Sequence, residues 1–375
     1  MRTTASYDLF PDAPSERAMV RARWLAREGR TADAESAYRA LLTSHPDLKA
    51  CWAEYFELLR ASGRAADALQ LAERAGAQFG ESGFSLTLRG AALIELGRYP
   101  DALAALERAV EADPDLALVW HELGWAAYRS GDKNGALLAL DRAFALEPHT
   151  ETLKLRGRVL RDAGRYQAAE VAFEGAAQAA EHAEQRADAE REIAATRRYA
   201  FYAPRKPEDL GPGERWFADT GSVVLAPDVG PVAPGDETLV ATFAEVAQDS
   251  GWRFGQVVAL GPTLPVWSDL ADRVDAPLVG PGAFEPAACP LVVAVRPLPA
   301  DPTWVKLAAA VPAQGTGLVL VMEHPAEAIG TSTADVVGVL TDAGERRTRA
   351  PNPAHALSEA QHPGARLAGR RMRPA

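Results

Sequence analysis

Glycines recur through the first half of the chain at Gly29, Gly63, Gly97, Gly131 and Gly164, spaced by 34, 34, 34 and 33 residues. A fixed period near 34 is the length of one helix–turn–helix unit, and such units bury their apolar faces only by stacking on one another. An alanine follows each glycine by five residues, at Ala34, Ala68, Ala102, Ala136 and Ala169. A second small or aliphatic residue follows seven later, at Leu41, Ala75, Ala109, Ala143 and Ala176. Five residues beyond stand Pro46, Pro114 and Pro148, with Gly80 in the second unit and no breaker in the fifth. Eleven residues before the glycine lies a bulky position, filled by Trp52, Leu86, Trp120 and Leu153, with Ala18 in the first unit. Seven before it comes a small one, filled by Gly90, Gly124 and Gly157, with Ala22 and Phe56 elsewhere.

Each position has a physical role. Glycine lets the chain leave a helix through a left-handed turn without steric cost. Two helices approach closely only where facing side chains are small. Proline ends the second helix because it cannot continue one.

The pattern resembles the tetratricopeptide repeat family, most closely in the fourth unit, with Trp120, Leu123, Gly124, Gly131, Ala136, Ala143 and Pro148. The resemblance covers five units, about residues 15–183. It implies an all-α superhelix of about five repeats, with residues 184–200 as a capping helix whose Glu190, Arg191, Arg197 and Arg198 suit a solvated outer face. Phe56 at a normally small site and Arg21, Arg89 and Arg156 at a normally leucine site depart from the family pattern.

The same resemblance places the first helix of each unit on a concave face. Phase then names its wall: Arg23 and Arg27; Glu54, Glu57 and Arg60; Thr87, Ala91 and Ile94; His121, Trp125 and Tyr128; Lys154, Arg158 and Arg161. His121, Trp125 and Tyr128 share one helix face. Beside the three cations of the next unit they suit an extended peptide with a bulky apolar side chain and an acidic group. Packing against the neighbouring helix is the plainer role for Trp125. Some family members grip a chaperone's terminal carboxylate with lysine and asparagine. Here Glu57 and Ala91 occupy places where that clamp needs polar or basic groups, so that ligand is not expected.

Beyond the repeats, residues 203–216 read as a proline- and glycine-rich linker. From 217 to 345 the period changes. Short β-branched runs at 223–226, 256–260, 277–279, 291–295, 318–322 and 336–340 alternate with helical segments at 237–249, 266–274 and 303–311. This predicts a small α/β domain with a mostly parallel, doubly wound sheet covered on both faces. Such sheets bind ligands beyond their C-terminal strand ends. Those ends carry Asp228, Gly261, Gly280 with Gly282, Glu323 with His324, and Asp342. No dinucleotide fingerprint, phosphate-cradling loop or nucleophile elbow accompanies them. Glu323 and His324 are adjacent on a strand and so face opposite ways. Asp269 and Asp272 lack a third ligand for a metal. The residues name no family for this domain, and no catalytic residue, cofactor or metal is expected.

Net charge is −11, distributed as −5 over residues 1–200, −12 over 201–345 and +6 over 346–375. An acidic body argues against a nucleic-acid partner. The basic end, with Arg346, Arg347, Arg349, Arg366, Arg370, Arg371 and Arg373, reads as a flexible solubilising tail, weak phosphate contact or docking on its acidic neighbour being the alternatives. Cys51 and Cys289 fall in different segments, so neither a disulfide nor a zinc site is expected. With no apolar leader and no run of about 20 apolar residues, the chain is expected to be soluble and cytoplasmic.

These features predict a scaffold or adaptor that holds a protein or peptide in the repeat groove. The alternative is an enzyme or small-molecule-binding protein with its site at the strand ends and the repeats recruiting substrate. Oligomeric state is not legible.

Overall fold

A computed structural model of the chain describes residues 13–228, 234–262, 264–328, 334–342, 345–346, 348 and 350–373. The periodic segment forms helices in pairs: α1 (Ala13–Arg27) with α2 (Thr31–Ser44), α3 (Lys49–Ala61) with α4 (Ala65–Phe79), α5 (Gly83–Glu95) with α6 (Tyr99–Ala112), α7 (Ala117–Ser130) with α8 (Lys133–Leu146), and α9 (Thr150–Asp162) with α10 (Tyr166–Ala179). The five recurrent glycines have φ between 69° and 94°, the left-handed region the sequence calls for. At Gly97 the turn is closed by two backbone bonds, Gly97 N–H to Ile94 O and Arg98 N–H to Leu93 O, both at 2.9 Å. They satisfy carbonyls that the helix end leaves open. In the first three units the next residue is an arginine paired with an aspartate three positions on: Arg30–Asp33, Arg64–Asp67 and Arg98–Asp101, each at 2.6 Å. The bulky position and the proline stop are also linked. Trp52 Nε1 donates to the Pro46 carbonyl and Trp120 Nε1 to that of Pro114, both at 2.8 Å.

The small positions work by volume. A Cβ on Gly90, Gly124 or Gly157 would overlap Leu106, Leu140 or Phe173 respectively. In the second unit the pair is inverted. Phe56, only 1% exposed, stands at the glycine's phase, and Ala72 stands at that of Leu106. Both belong to one core cluster, so the departure from the family pattern is offset across the helix pair. The arginines at leucine sites are accommodated by water and charge. Arg21 and Arg89 are exposed, and Arg156 pairs with Asp141 at 2.6 Å.

The chain divides into two compact units. One holds the described residues up to Leu160 together with Val171–Arg186. The other holds Arg161–Glu170 and the described residues from Ala187 onward. The helix expected as a solvated cap is α11 (Ala183–Phe201), and only part of it is solvated. Glu190, Arg191 and Arg197 are exposed, but Arg198 is buried. Tyr199 joins the core of the second unit with Tyr202, Leu210 and Phe217.

The second unit continues through α12 (Pro212–Thr220), β1 (Val223–Val224), α13 (Asp236–Asp249), β2 (Gln256–Leu260), α14 (Pro265–Arg273), β3 (Leu278–Val279), β4 (Pro290–Ala294), α15 (Pro302–Gln314), β5 (Leu318–Pro325), β6 (Val336–Asp342), β7 (Glu345–Arg346) and α16 (Pro353–Ala360). The sheet runs β1-β6-β5-β4-β2-β3, all parallel, with β7 antiparallel on β6. Alternation along the strands splits its side chains between two cores. Val257, Val293, Leu320 and Val336 pack with α13, α14 and α16. Val258, Val292, Val319 and Val337 pack with Trp304, Leu307 and Val311 of α15. Burial on both faces is why the strands read as unbroken apolar runs. The path reverses between β2 and β4, which places a topological switch point at their C-terminal ends.

Two expectations are corrected. Residues 203–216 are not an open linker. Pro212 opens α12 and Gly221 closes it at φ 77°, so proline and glycine here punctuate a helix. Leu210, Trp216 and Phe217 are buried, and Arg205 pairs with Glu214 at 2.6 Å. Nor is the basic end a flexible tail over its described residues. Ala356, Ala360, Ala365 and Leu367 are buried in the core, and Arg370 meets the buried Asp335 at 2.5 Å. Arg346 pairs with Asp236 and Glu323 at 2.6 and 2.9 Å. The apolar residues between the arginines supply the burial, and Arg346, Arg366 and Arg370 answer acids of the same domain. Arg347 and Arg349 lie outside the described residues.

Candidate functional site

Four helices of the first unit contribute to one pocket of about 210 Å³. Arg60 comes from α3, Glu95 from α5, His121, Glu122 and Trp125 from α7, and Glu151, Leu155 and Arg158 from α9. The spacing of four between His121 and Trp125 puts both on one face of α7.

Arg60 is the hub. Its Nη1 lies 3.0 Å from Glu57 Oε1 and 3.4 Å from Glu122 Oε1, and its Nη2 lies 3.1 Å from Glu95 Oε1. Burial works against its charge, but Glu122, Glu57 and Glu95 outweigh it and raise its pKa. Glu122 is 6% exposed, and its Oε2 has no hydrogen-bond partner among the described residues. Burial pushes its carboxyl up to about 7, against the pull of Arg60. His121 Nδ1 lies 3.0 Å from Thr152 Oγ1. Burial lowers the His121 pKa to about 4, so the imidazole is neutral at neutral pH.

Trp125 is placed both for packing and at the pocket. It packs against the apolar clusters on either side of it, and it lines the pocket. Tyr128 lies beside it, tilted by 40° at 5.7 Å between ring centres, and the Arg129 guanidinium sits 5.1 Å from the indole centre.

Of the expected groove residues, Arg60, His121, Trp125 and Arg158 meet in this pocket. Glu57 touches it through Arg60. Lys154 is buried and pairs with Glu151 at 3.1 Å. Arg23 pairs with Glu54 at 2.6 Å, nearer the start of the repeats. Arg161 belongs to the second unit, where it pairs with Glu192 at 2.7 Å. Thr87, Ala91 and Ile94 are buried and form no exposed wall, a correction that follows from their apolar or helix-bonded side chains. Lys154 and Arg161 are neutralised by nearby acids, which removes two of the three cations expected to draw an acidic ligand. Sequence reasoning missed Glu122 and Glu95. A signal for Glu122 existed: it stands nine residues before its glycine, the same phase as Glu54, which also answers an arginine.

At the sheet, Gly261 and Gly280 line a second pocket of about 430 Å³ at the switch point, with Asp301 and Thr303 at the start of α15. Gly282 sits just beyond, in a short helical turn over Pro281–Ala283. The other candidates are elsewhere. The Asp228 carbonyl accepts from Ala350 N–H at 3.2 Å. Glu323 is held between Arg296 and Arg346 at 2.6 and 2.9 Å. His324 is buried with its ring 4.8 Å from that of Trp216. Asp269 pairs with Arg273 at 2.8 Å. Among the described residues no group of three or more His, Cys, Asp or Glu is gathered as for a metal ion, and no helix is long and apolar enough to cross a membrane.

Comparison with known proteins places the repeats. The sequence matches the TPR repeat family over residues 90–131 and the tetratricopeptide repeat family over 121–184. It is 44% identical over 66 residues to a Hsp70-Hsp90 organizing protein of Triticum aestivum, covering 18% of this chain and 11% of that protein. The chain therefore spans about a tenth of that relative's length. A thermophilic TPR protein of Thermus thermophilus aligns at 18% identity and a TM-score of 0.43, over 48% of this chain and 98% of that one. PilF of Pseudomonas aeruginosa aligns at 17% and 0.38, over 50% and 87%.

Proposed function

We propose that this chain, whose residues 90–184 are tetratricopeptide repeats, is a cytoplasmic adaptor that holds an extended segment of a partner protein in the repeat groove. One observation carries the reading: first helices of four successive units bring Arg60, Glu95, Trp125 and Arg158 to one pocket. A stack that spaces polar groups along a groove, with one half-buried aromatic as anchor, has the anatomy of a peptide hot spot. The named role of the wheat relative, organizing Hsp70 and Hsp90, is consistent with protein partners. Affinity capture with the full chain tests the reading. Trp125→Ala and Arg158→Glu should each lose partners that the wild type recovers, and identical recoveries from all three forms would sink it.

A second reading rests on the 430 Å³ pocket at the switch point, a volume suited to a small molecule. There the α/β domain binds a ligand and the repeats bring its target. Saturable thermal stabilisation of the full chain by a nucleotide or sugar phosphate supports this reading. A flat response across such a panel removes it.

A further inference from the structure

The groove pocket leaves one buried carboxylate oxygen unanswered by its own residues. Three carboxylates, on Glu57, Glu95 and Glu122, converge on the single guanidinium of Arg60. Glu151, also in the lining, is matched by Lys154, and Arg158 is the second cation of the lining. Glu122 fares worst in the sharing. Its Oε1 has one long bond of 3.4 Å to Arg60, and its buried Oε2 has no partner among the described residues. An ionised carboxylate accepts on both oxygens, and leaving one buried and bare is unfavourable. The pocket, about 210 Å³, is below the ~300–1,000 Å³ of sites for drug-sized ligands and suits one side chain. Trp125 at its edge presents an aromatic surface of the kind that attracts cations, as Arg129 already shows at 5.1 Å.

We propose that this pocket receives an arginine or lysine side chain from an extended partner peptide, which donates to the unpartnered Oε2 of Glu122 beside Glu57 and Glu95. The proposal rests on the adaptor reading and deepens it by fixing the sign of the ligand. It reverses the expectation from sequence, in which the cations of the fifth unit call for an acidic partner. A charge-assisted bond to a desolvated carboxylate is the strong kind, and its loss weakens binding on the order of tenfold.

The test uses an immobilised positional-scanning decapeptide library probed with the labelled full chain as wild type, Glu122→Gln and Trp125→Ala. The wild type should show one register position where arginine or lysine is preferred about tenfold over glutamine or glutamate. Glu122→Gln should erase that preference and keep the apolar ones, while Trp125→Ala weakens all binding. If circular dichroism shows that Glu122→Gln is misfolded, Glu95→Gln at the half-exposed side of the pocket takes its place, with a smaller drop in the same preference expected. Peptides held through Trp125 with no basic preference, or with one that neither glutamine variant reduces, overturn this inference and leave the adaptor reading intact. No peptide retained by the wild type overturns both.

Discussion

Arg60 of α3 reaches Glu122 of α7 at 3.4 Å, across 62 residues of chain, with Glu95 of the intervening α5 on its other nitrogen at 3.1 Å. One guanidinium thus ties together three successive repeats. Stability in stacked repeats is roughly a sum of unit and neighbour terms, and this residue adds a link beyond nearest neighbours.

Glu122 gives that link a pH dependence. Its folded pKa, about 7, lies above its ordinary value of 4.5. The folded form therefore holds the proton more tightly, and the carboxyl's contribution to stability is full below pH 4.5 and lost as pH rises through 7. The swing is on the order of 3 kcal/mol. Hydrogen exchange in α7 should show Glu122→Gln gaining protection relative to wild type from pH 5 to pH 8. Parallel curves for the two proteins would refute this account.

His121 has the opposite sign. Burial lowers its folded pKa from 6.5 to about 4, so unfolding takes up a proton between those values. Its contribution is present above pH 6.5 and lost as pH falls toward 4. An NMR titration should find its imidazole neutral at pH 6, with no midpoint near 6.5.

The inverted pair Phe56 and Ala72 makes a volume prediction. Gly90→Ala alone pushes into Leu106 and should destabilise by about 1–3 kcal/mol through overpacking. Adding Leu106→Ala should recover part of that loss, because the second unit already uses bulk on the first helix and alanine on the second. A double-mutant cycle by chemical denaturation measures the coupling. Strict additivity would show that the two positions do not share space.

Arg370 and Asp335 form a buried ion pair, with side chains 8% and 1% exposed. Arg370→Ala leaves the buried Asp335 charge with only the long 3.8 Å contact to Arg366 and should destabilise the second unit by about 3 kcal/mol. Asp335→Asn in the same chain should restore much of it. Amide exchange in β5, whose Val319 N–H donates to Asp335 at 2.8 Å, reports the change locally. If Arg370→Ala leaves this exchange unchanged, the basic segment is not structurally required.

Trp120 Nε1 donates to the Pro114 carbonyl at a partly exposed site. Trp120→Phe keeps the bulk and removes the donor, so it should cost about 0.5–1.5 kcal/mol. A melting temperature equal to wild type would mean that the bond only orients the ring.

Much of this architecture is written locally and is legible in the sequence. Gly97 and its counterparts specify left-handed turns, and Gly124 specifies a close approach, because each residue has one steric reason to be there. The strand runs around Val292 and Val319 are legible through their burial on both faces. What stays hidden depends on distant partners. Arg366 and Arg370 read as part of a charged tail because their acid, Asp335, lies more than 30 residues away in sequence. Glu122 escapes notice because its value arises from Arg60 and Glu95 on other helices. Lys154 reads as a free cation only while the groove wall is counted by itself; Glu151, one turn earlier and outside that wall, neutralises it.

The chain passes between its two units three times, after Leu160, Glu170 and Arg186. No single chain position therefore divides the two units. A fragment trimmed at residue 200 carries away Tyr199 and leaves Tyr202 behind, although both rings belong to the core of the second unit. Whoever transplants these repeats must carry the sheet along or redesign α11 as a soluble terminus.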